Sequence, residues 1–189
     1  MFLFLVKLFL TLFLFTTPSL SKNYNEIIIN GNSRISDETI KVFSKIPDNK
    51  TLDENSINLI LKNLYNTFFF KDISVKIDNN QLVIDVEENP IIQSVFVEGV
   101  KAKKIKESIT EILSLKDRSS FNNYQLNADK INITNTLKNR GYYFSTLTSE
   151  IEDLGDNKIN LIHRINIGNK SKISKISFLG DKKIKDRTL

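Results

Sequence analysis

One pattern constrains this chain more than any other: an apolar, alternating strand, then a glycine, then a polar-started helix, met three times over. The first copy is Ile27-Ile28-Ile29-Asn30-Gly31-Asn32, leading through Ile35 to Ile40. The second is Ser94-Val95-Phe96-Val97-Glu98-Gly99, leading through Ile105 to Ile109. The third is Ser174-Lys175-Ile176-Ser177-Phe178-Leu179-Gly180-Asp181, leading through Ile184 to Leu189. Such recurrence marks a repeated supersecondary unit. The glycines recur about 70 to 80 residues apart, near the lower limit for a core that is stable alone. The third copy stops inside its first helix, so the expectation is the front part of a longer protein.

Within the first unit the periodicity switches in a definite order. Ser36 is placed to cap a helix, with Asp37 and Glu38 where the helix dipole favours anions. Ile40, Val42, Phe43 and Ile46 carry that helix to Pro47. Thr51-Leu52-Asp53-Glu54 has the form of a capping box, and Ile57, Ile60, Leu61 and Leu64 follow at helical spacing. Ile73–Ile77 then alternates with period two, Asp78-Asn79-Asn80 supplies turn chemistry, and Leu82–Val86 answers as a more apolar strand.

The second unit repeats that order. A short helix spans about Lys104–Leu113, and Phe121, Tyr124, Ala128 and Ile131 step along a longer one that Gly141 can end. Phe144–Ile151 and Lys158–Ile167 read as strands around a turn containing Gly155. The predicted fold class is α+β: tandem β-α-α-β-β units, each a three-stranded sheet with two helices on one face. The expected organisation is a leader over 1–21, units over 22–89 and 90–167, and a truncated unit over 168–189. The short joins Glu87-Glu88-Asn89-Pro90 and Gly168-Asn169-Lys170-Ser171 separate them.

The leader rests on an apolar run containing Phe2, Phe4, Phe9, Phe13 and Phe15, broken by Lys7 and Thr11. It is shorter than the roughly 20 apolar residues of a spanning helix. Pro18 and the small residues of Ser19-Leu20-Ser21 suit signal-peptidase cleavage near Ser21. An exported chain does not meet nucleic acid, and a net charge of +5 without a strong patch adds no argument for it. The chain has no cysteine and one histidine, His163, which leaves thiolate metal sites and cysteine nucleophiles without members. Glycine-rich phosphate loops, G-x-S-x-G and H-E-x-x-H are absent from the sequence, so no cofactor, metal site or catalytic residue is assigned and an enzyme is not expected.

Several stretches resemble the POTRA (polypeptide-transport-associated) domain, and in sequence the chain resembles the POTRA region of the BamA family of outer-membrane protein assembly factors. They are Ile29-Asn30-Gly31-Asn32-Ser33-Arg34-Ile35, Leu64–Ile73, Val86–Ile92, Arg140-Gly141-Tyr142-Tyr143 and Ile176–Asp181. Two features depart from the family pattern. Phe68 stands where the family has a glycine after Tyr-x-Thr, and two complete units are present where the resemblance implies five and a membrane barrel. The resemblance implies a non-catalytic periplasmic scaffold at the outer membrane. Its implied partners are unfolded outer-membrane proteins and accessory outer-membrane lipoproteins. Related POTRA proteins that secrete or translocate one substrate, and anchored divisome-type proteins, are the alternative readings.

Recognition would then rest on backbone. A three-stranded sheet has edges whose unpaired N–H and C=O groups can template an incoming strand. The closing strands are the more apolar in each unit, as central strands should be, which leaves the first hairpin strands at the edge. The candidate client-binding residues are therefore Ile73, Ser74, Val75, Lys76 and Ile77, with Thr146, Leu147, Thr148, Ser149, Glu150 and Ile151 in the second unit. Parity alone does not choose between Ser74 and Val75, or between Leu147 and Thr148, as the residue whose amide points outward. The cluster Lys101, Lys103, Lys104 and Lys106 reads as a solvated helix face, with anionic lipid headgroups as the further candidate partner. Glu150, Glu152, Asp153 and Asp156 read as the charged shoulders of a hairpin, and His163 as a half-buried, hydrogen-bonded residue of an apolar strand face.

Overall fold

The computed structural model describes residues 21–47 and 50–176. Residues 1–20 of the leader expected over 1–21 and the third unit beyond Ile176 lie outside the described residues, and Ser174–Ile176 form no strand. The chain divides between Asn89 and Pro90 into two compact units. The first comprises β1 (Lys22–Asn23), β2 (Glu26–Asn30), α1 (Asp37–Ser44), β3 (Thr51–Leu52), α2 (Glu54–Tyr65), β4 (Phe70–Asp78) and β5 (Gln81–Glu88). The second comprises β6 (Ile91–Glu98), α3 (Lys103–Ile112), α4 (Asn123–Asn139), β7 (Thr146–Gly155) and β8 (Lys158–Asn166).

In each unit the closing strand is central. β5 runs parallel to β2 and antiparallel to β4, and β8 runs parallel to β6 and antiparallel to β7. The hairpins close through Asn79-Asn80 and Asp156-Asn157, all four in left-handed dihedrals whose twist suits two-residue loops. The hairpin strands are longer than their apolar alternation suggests, because backbone pairing continues through Phe70–Asp72 and Glu152–Gly155 irrespective of polarity. Phe144 falls outside β7.

Two local expectations are corrected. Ser36 does cap α1, accepting the Thr39 N–H at 3.3 Å, but Thr51 is not the cap of α2. It pairs with Asn23 in the small β1–β3 ladder, and Asp53 caps α2 by accepting the Ser56 N–H at 2.8 Å. A carboxylate at the helix start adds a dipole interaction that a hydroxyl lacks. Along α4 the buried face is Leu126, Asp129, Ile133 and Leu137, whereas Tyr124 and Ile131 are 75% and 60% exposed. Phe121 is buried but precedes the helix. The charge of Asp129 disguises the inward stripe, although its carboxylate is taken up by the Ser114 and Leu115 N–H groups at 2.7 and 2.9 Å.

The first core is one apolar cluster that includes Ile40, Ile60, Leu64, Leu82 and Ile84. The second is divided in two. Ile109, Ile133, Leu137 and Ile165 belong to one cluster, Leu115, Leu126 and Leu161 to the other, and Val95 packs against both. Asp129 and His163, both fully buried, stand between these groups along α4 and β8.

The repeated glycines have a shared cause. Gly31 and Gly99 take φ of +83° and +81°, and a Cβ on either would lie 2.0 or 1.9 Å from the carbonyl oxygen of Val86 or Ile165. The departure at Phe68 also resolves. The helix ends without a glycine, but the left-handed position is kept, with Phe68 itself at φ 59° where the second unit has Gly141 at φ 91°. The matching bonds from Phe68 N–H to Tyr65 O (3.1 Å) and from Gly141 N–H to Lys138 O (2.8 Å) establish the equivalence. An L-residue there costs about 1–2 kcal/mol. Asn89 offsets it, donating from its side chain to Phe68 O at 2.9 Å and from its backbone to Phe69 O at 2.8 Å.

Candidate functional site

The antiparallel sheet edges are β4 and β7. In a β-ladder the N–H and C=O of one residue point to the same side and successive residues alternate. The Val86 and Ile165 carbonyls face Gly31 and Gly99, beyond the ends of β2 and β6. Their partners across the hairpin are Ile73 and Leu147. These two residues therefore face away from the central strand, and so do Val75 and Ile77 on β4 and Ser149 and Ile151 on β7. The Ile73 N–H confirms the direction, since it donates to the Tyr65 hydroxyl at 3.2 Å rather than to β5. Ser74, Lys76, Thr148 and Glu150 turn their amides inward. The ambiguity between neighbouring residues is thus settled in favour of Val75 and Leu147 as the outward donors.

Side chains follow the same alternation. Ile73 is buried and Val75, Ile77, Leu147 and Ser149 are half-buried, while Ser74, Lys76, Thr146, Thr148 and Glu150 are exposed. On the exposed face of the second sheet Arg164 joins Glu98 at 2.7 Å and Glu150 at 3.0 Å, spanning all three strands. Glu152 accepts from the Asn160 side chain at 2.8 Å, and Asp153 accepts the Gly155 N–H at 2.9 Å. The acidic stretch is thereby distributed among neighbours along the hairpin. Lys101, Lys103, Lys104 and Lys106 are all exposed around the start of α3, where Lys103 reaches Glu107 at 3.8 Å.

His163 is fully rather than half buried. Its Nδ1 shares a hydrogen bond of 2.8 Å with Ser149 Oγ, and burial pushes the imidazole below its ordinary pKa against the pull of Asp129. Glu88, read only as part of a join, is structural. Its Oε1 accepts the N–H groups of Ser33, Arg34 and Ile35 at 3.0, 3.0 and 2.9 Å, and Arg34 lies 3.4 Å from Oε2. Burial pushes this carboxyl up, but those three amides and the Arg34 charge outweigh it and hold the pKa below its ordinary value. The signal was a charge on the inward parity of Leu82, Ile84 and Val86.

Comparison with known proteins places this architecture. The POTRA family model, described as "Surface antigen variable number repeat", matches residues 90–168. The outer membrane protein assembly factor BamA of Neisseria meningitidis serogroup B is 28% identical over 167 residues, 87% of this chain and 21% of that protein. BamA of Buchnera aphidicola subsp. Acyrthosiphon pisum is 27% identical over 136 residues, 69% of this chain and 21% of that protein. The chain therefore spans about a fifth of the length of these curated relatives. Among solved structures, the N-terminal domain of Omp85 from Thermosynechococcus elongatus superposes with a TM-score of 0.52 at 15% identity, covering 79% of this chain and 64% of that one.

Proposed function

From the premise that the chain carries POTRA domains, with BamA relatives over most of its length, we propose that it is a non-catalytic periplasmic module for assembling outer-membrane β-barrel proteins. In this reading it is exported, works at the periplasmic face of the outer membrane, and receives unfolded outer-membrane proteins and accessory lipoproteins by β-strand addition. The carrying observation is the outward row of backbone amides at Val75 and Ile77 on β4 and at Leu147, Ser149 and Ile151 on β7. Main-chain pairing tolerates any side-chain sequence, as a diverse set of clients requires. A basic α3 start facing anionic headgroups would add attraction to a membrane surface.

Single prolines test the mechanism because proline has no N–H to donate. At the outward positions Val75 and Leu147 they should preserve the ladder, and a proline on an edge that takes the strand should weaken capture of an extended client peptide, while alanine at the same site changes capture little. At the inward positions Ser74 and Thr148 they should destabilise the unit by about 1–3 kcal/mol, the cost of an orphaned acceptor. Outward prolines that leave melting and peptide capture both unchanged would remove strand addition from the account.

A further inference from the structure

The two edges are built differently, although the units share one topology. On β4 the ladder shifts between Phe70 and Asp72, and such bulges blunt an edge against further pairing. The next outward amide, Ile73, already donates to Tyr65 Oη at 3.2 Å, while that hydroxyl donates to Asp72 Oδ1 at 3.3 Å. Tyr65, the last residue of α2, thus lies over the open end of the edge with both hydrogen-bonding capacities used. Only Val75 and Ile77 remain as outward donors within the antiparallel run.

On β7 the position equivalent to Tyr65 is Lys138, as the helix-end bonds from Phe68 and Gly141 establish. Among the described residues no side chain takes the amides of Leu147, Ser149 or Ile151, and the ladder shift falls at the turn end, between Asp153 and Gly155. The open end carries exposed aromatic rings, Tyr143 at 60% and Phe144 at 82%, where β4 begins with buried Phe70 at 4%. Further along, Glu152 carries no ion pair among the described residues.

Resting on the strand-addition reading, we propose that the two units are unequal acceptors: the β7 edge takes the strand, and Tyr65 closes the β4 edge. The ligand that β7 fits is an extended segment with period-two alternation. Its apolar residues lie beside Leu147 and Ile151, its polar residues beside Thr146 and Thr148, a basic residue opposite Glu152 and an aromatic one at the Phe144 end. Opposed side chains on neighbouring strands supply that preference, and the aromatic end stacks on exposed rings. Ordering an extended peptide costs entropy at every residue, so an edge with three consecutive alternate donors and an aromatic anchor outcompetes one with two.

The experiment uses the full chain and a fluorescein-labelled decapeptide of alternating valine and threonine, with a phenylalanine at one end and a lysine at the other. Binding stoichiometry is read by titration and the site by amide hydrogen exchange. The wild type should bind one peptide, with exchange slowed at Leu147, Ser149 and Ile151 and unchanged on β4. Leu147→Pro should weaken capture at least about tenfold. Tyr65→Phe should raise the stoichiometry to two, with new protection at Val75 and Ile77. Tyr65→Lys, which copies the residue of the second unit, gives the same readout should the phenylalanine variant fold poorly. Slowed exchange on β4 in the wild type, or a single site in a Tyr65 variant that melts like the wild type, would overturn the inequality alone. Peptide binding without slowed exchange at either edge would overturn strand addition as well.

Discussion

Replacing Gly31 by alanine should unfold much of the first unit. The residue sits at φ +83°, which costs an L-residue about 1–2 kcal/mol. The added Cβ would also stand 2.0 Å from Val86 O, against an ordinary contact of 3.4–4 Å. More than an ångström of movement is needed, and neither partner yields cheaply. Val86 is on the central strand, and the loop after Gly31 is tied to Glu88 by three backbone bonds. Overpacking of this kind adds about 1–3 kcal/mol, for a total of about 2–5 kcal/mol. A unit of this size has about 3–10 kcal/mol of stability in all. Gly99→Ala should do the same to the second unit, where the clash is with Ile165 O at 1.9 Å. Gly155→Ala separates the two contributions: its φ is +77°, but nothing lies within 4 Å of the new methyl. It should cost about 1–2 kcal/mol from dihedral strain alone. Hydrogen exchange on the whole chain reads each unit separately, and urea melts give the magnitudes. If Gly31→Ala and Gly155→Ala cost the same within about 0.5 kcal/mol, the close approach to Val86 O is not what demands glycine, and the reasoning fails.

Two further outcomes concern buried charge. His163 has a folded pKa held below its ordinary value by burial, so the unfolded chain takes up its proton first as pH falls. The second unit should keep full stability above about pH 6.5 and lose it on acidification below that. His163→Leu, which brings in an aliphatic side chain like that of Ile84 at the equivalent β5 position, should flatten the melting temperature between about pH 7.5 and 5.5; an unchanged slope would place the proton uptake elsewhere than His163. Glu88 acts in the same sense, in the lower pH window of a carboxyl group. Its lowered pKa gives stability that is present above the ordinary carboxyl value and lost as pH falls through the folded one. Glu88→Ala should cost the first unit about 3 kcal/mol by orphaning three amides, and a loss under about 1 kcal/mol would show that water replaces the carboxylate.

The order of elements was legible because it is written in local periodicity. Alternation marked the hairpin strands, helical spacing marked α1 and α2, and the apolar excess of Leu82–Val86 and Lys158–Ile167 marked them as central. Central strands are covered on both sides by pairing and on one face by helices, so their composition records their place. Gly31 and Gly99 were visible as a repeat, but not why glycine is needed. That depends on carbonyls more than fifty residues away in sequence. The same limit hid Glu88 and Asp129, whose partners are backbone amides of distant loops, and it turned the α4 stripe toward the wrong face. Polarity predicts burial only when a charge has no partner inside, and these two have several. The direction of the edge amides lay wholly beyond the sequence. A one-residue change of register reverses every N–H along a strand without changing a single letter. Which amides face outward, and that Tyr65 covers one of them, are settled only when the hairpin, the central strand and the helix end are brought together.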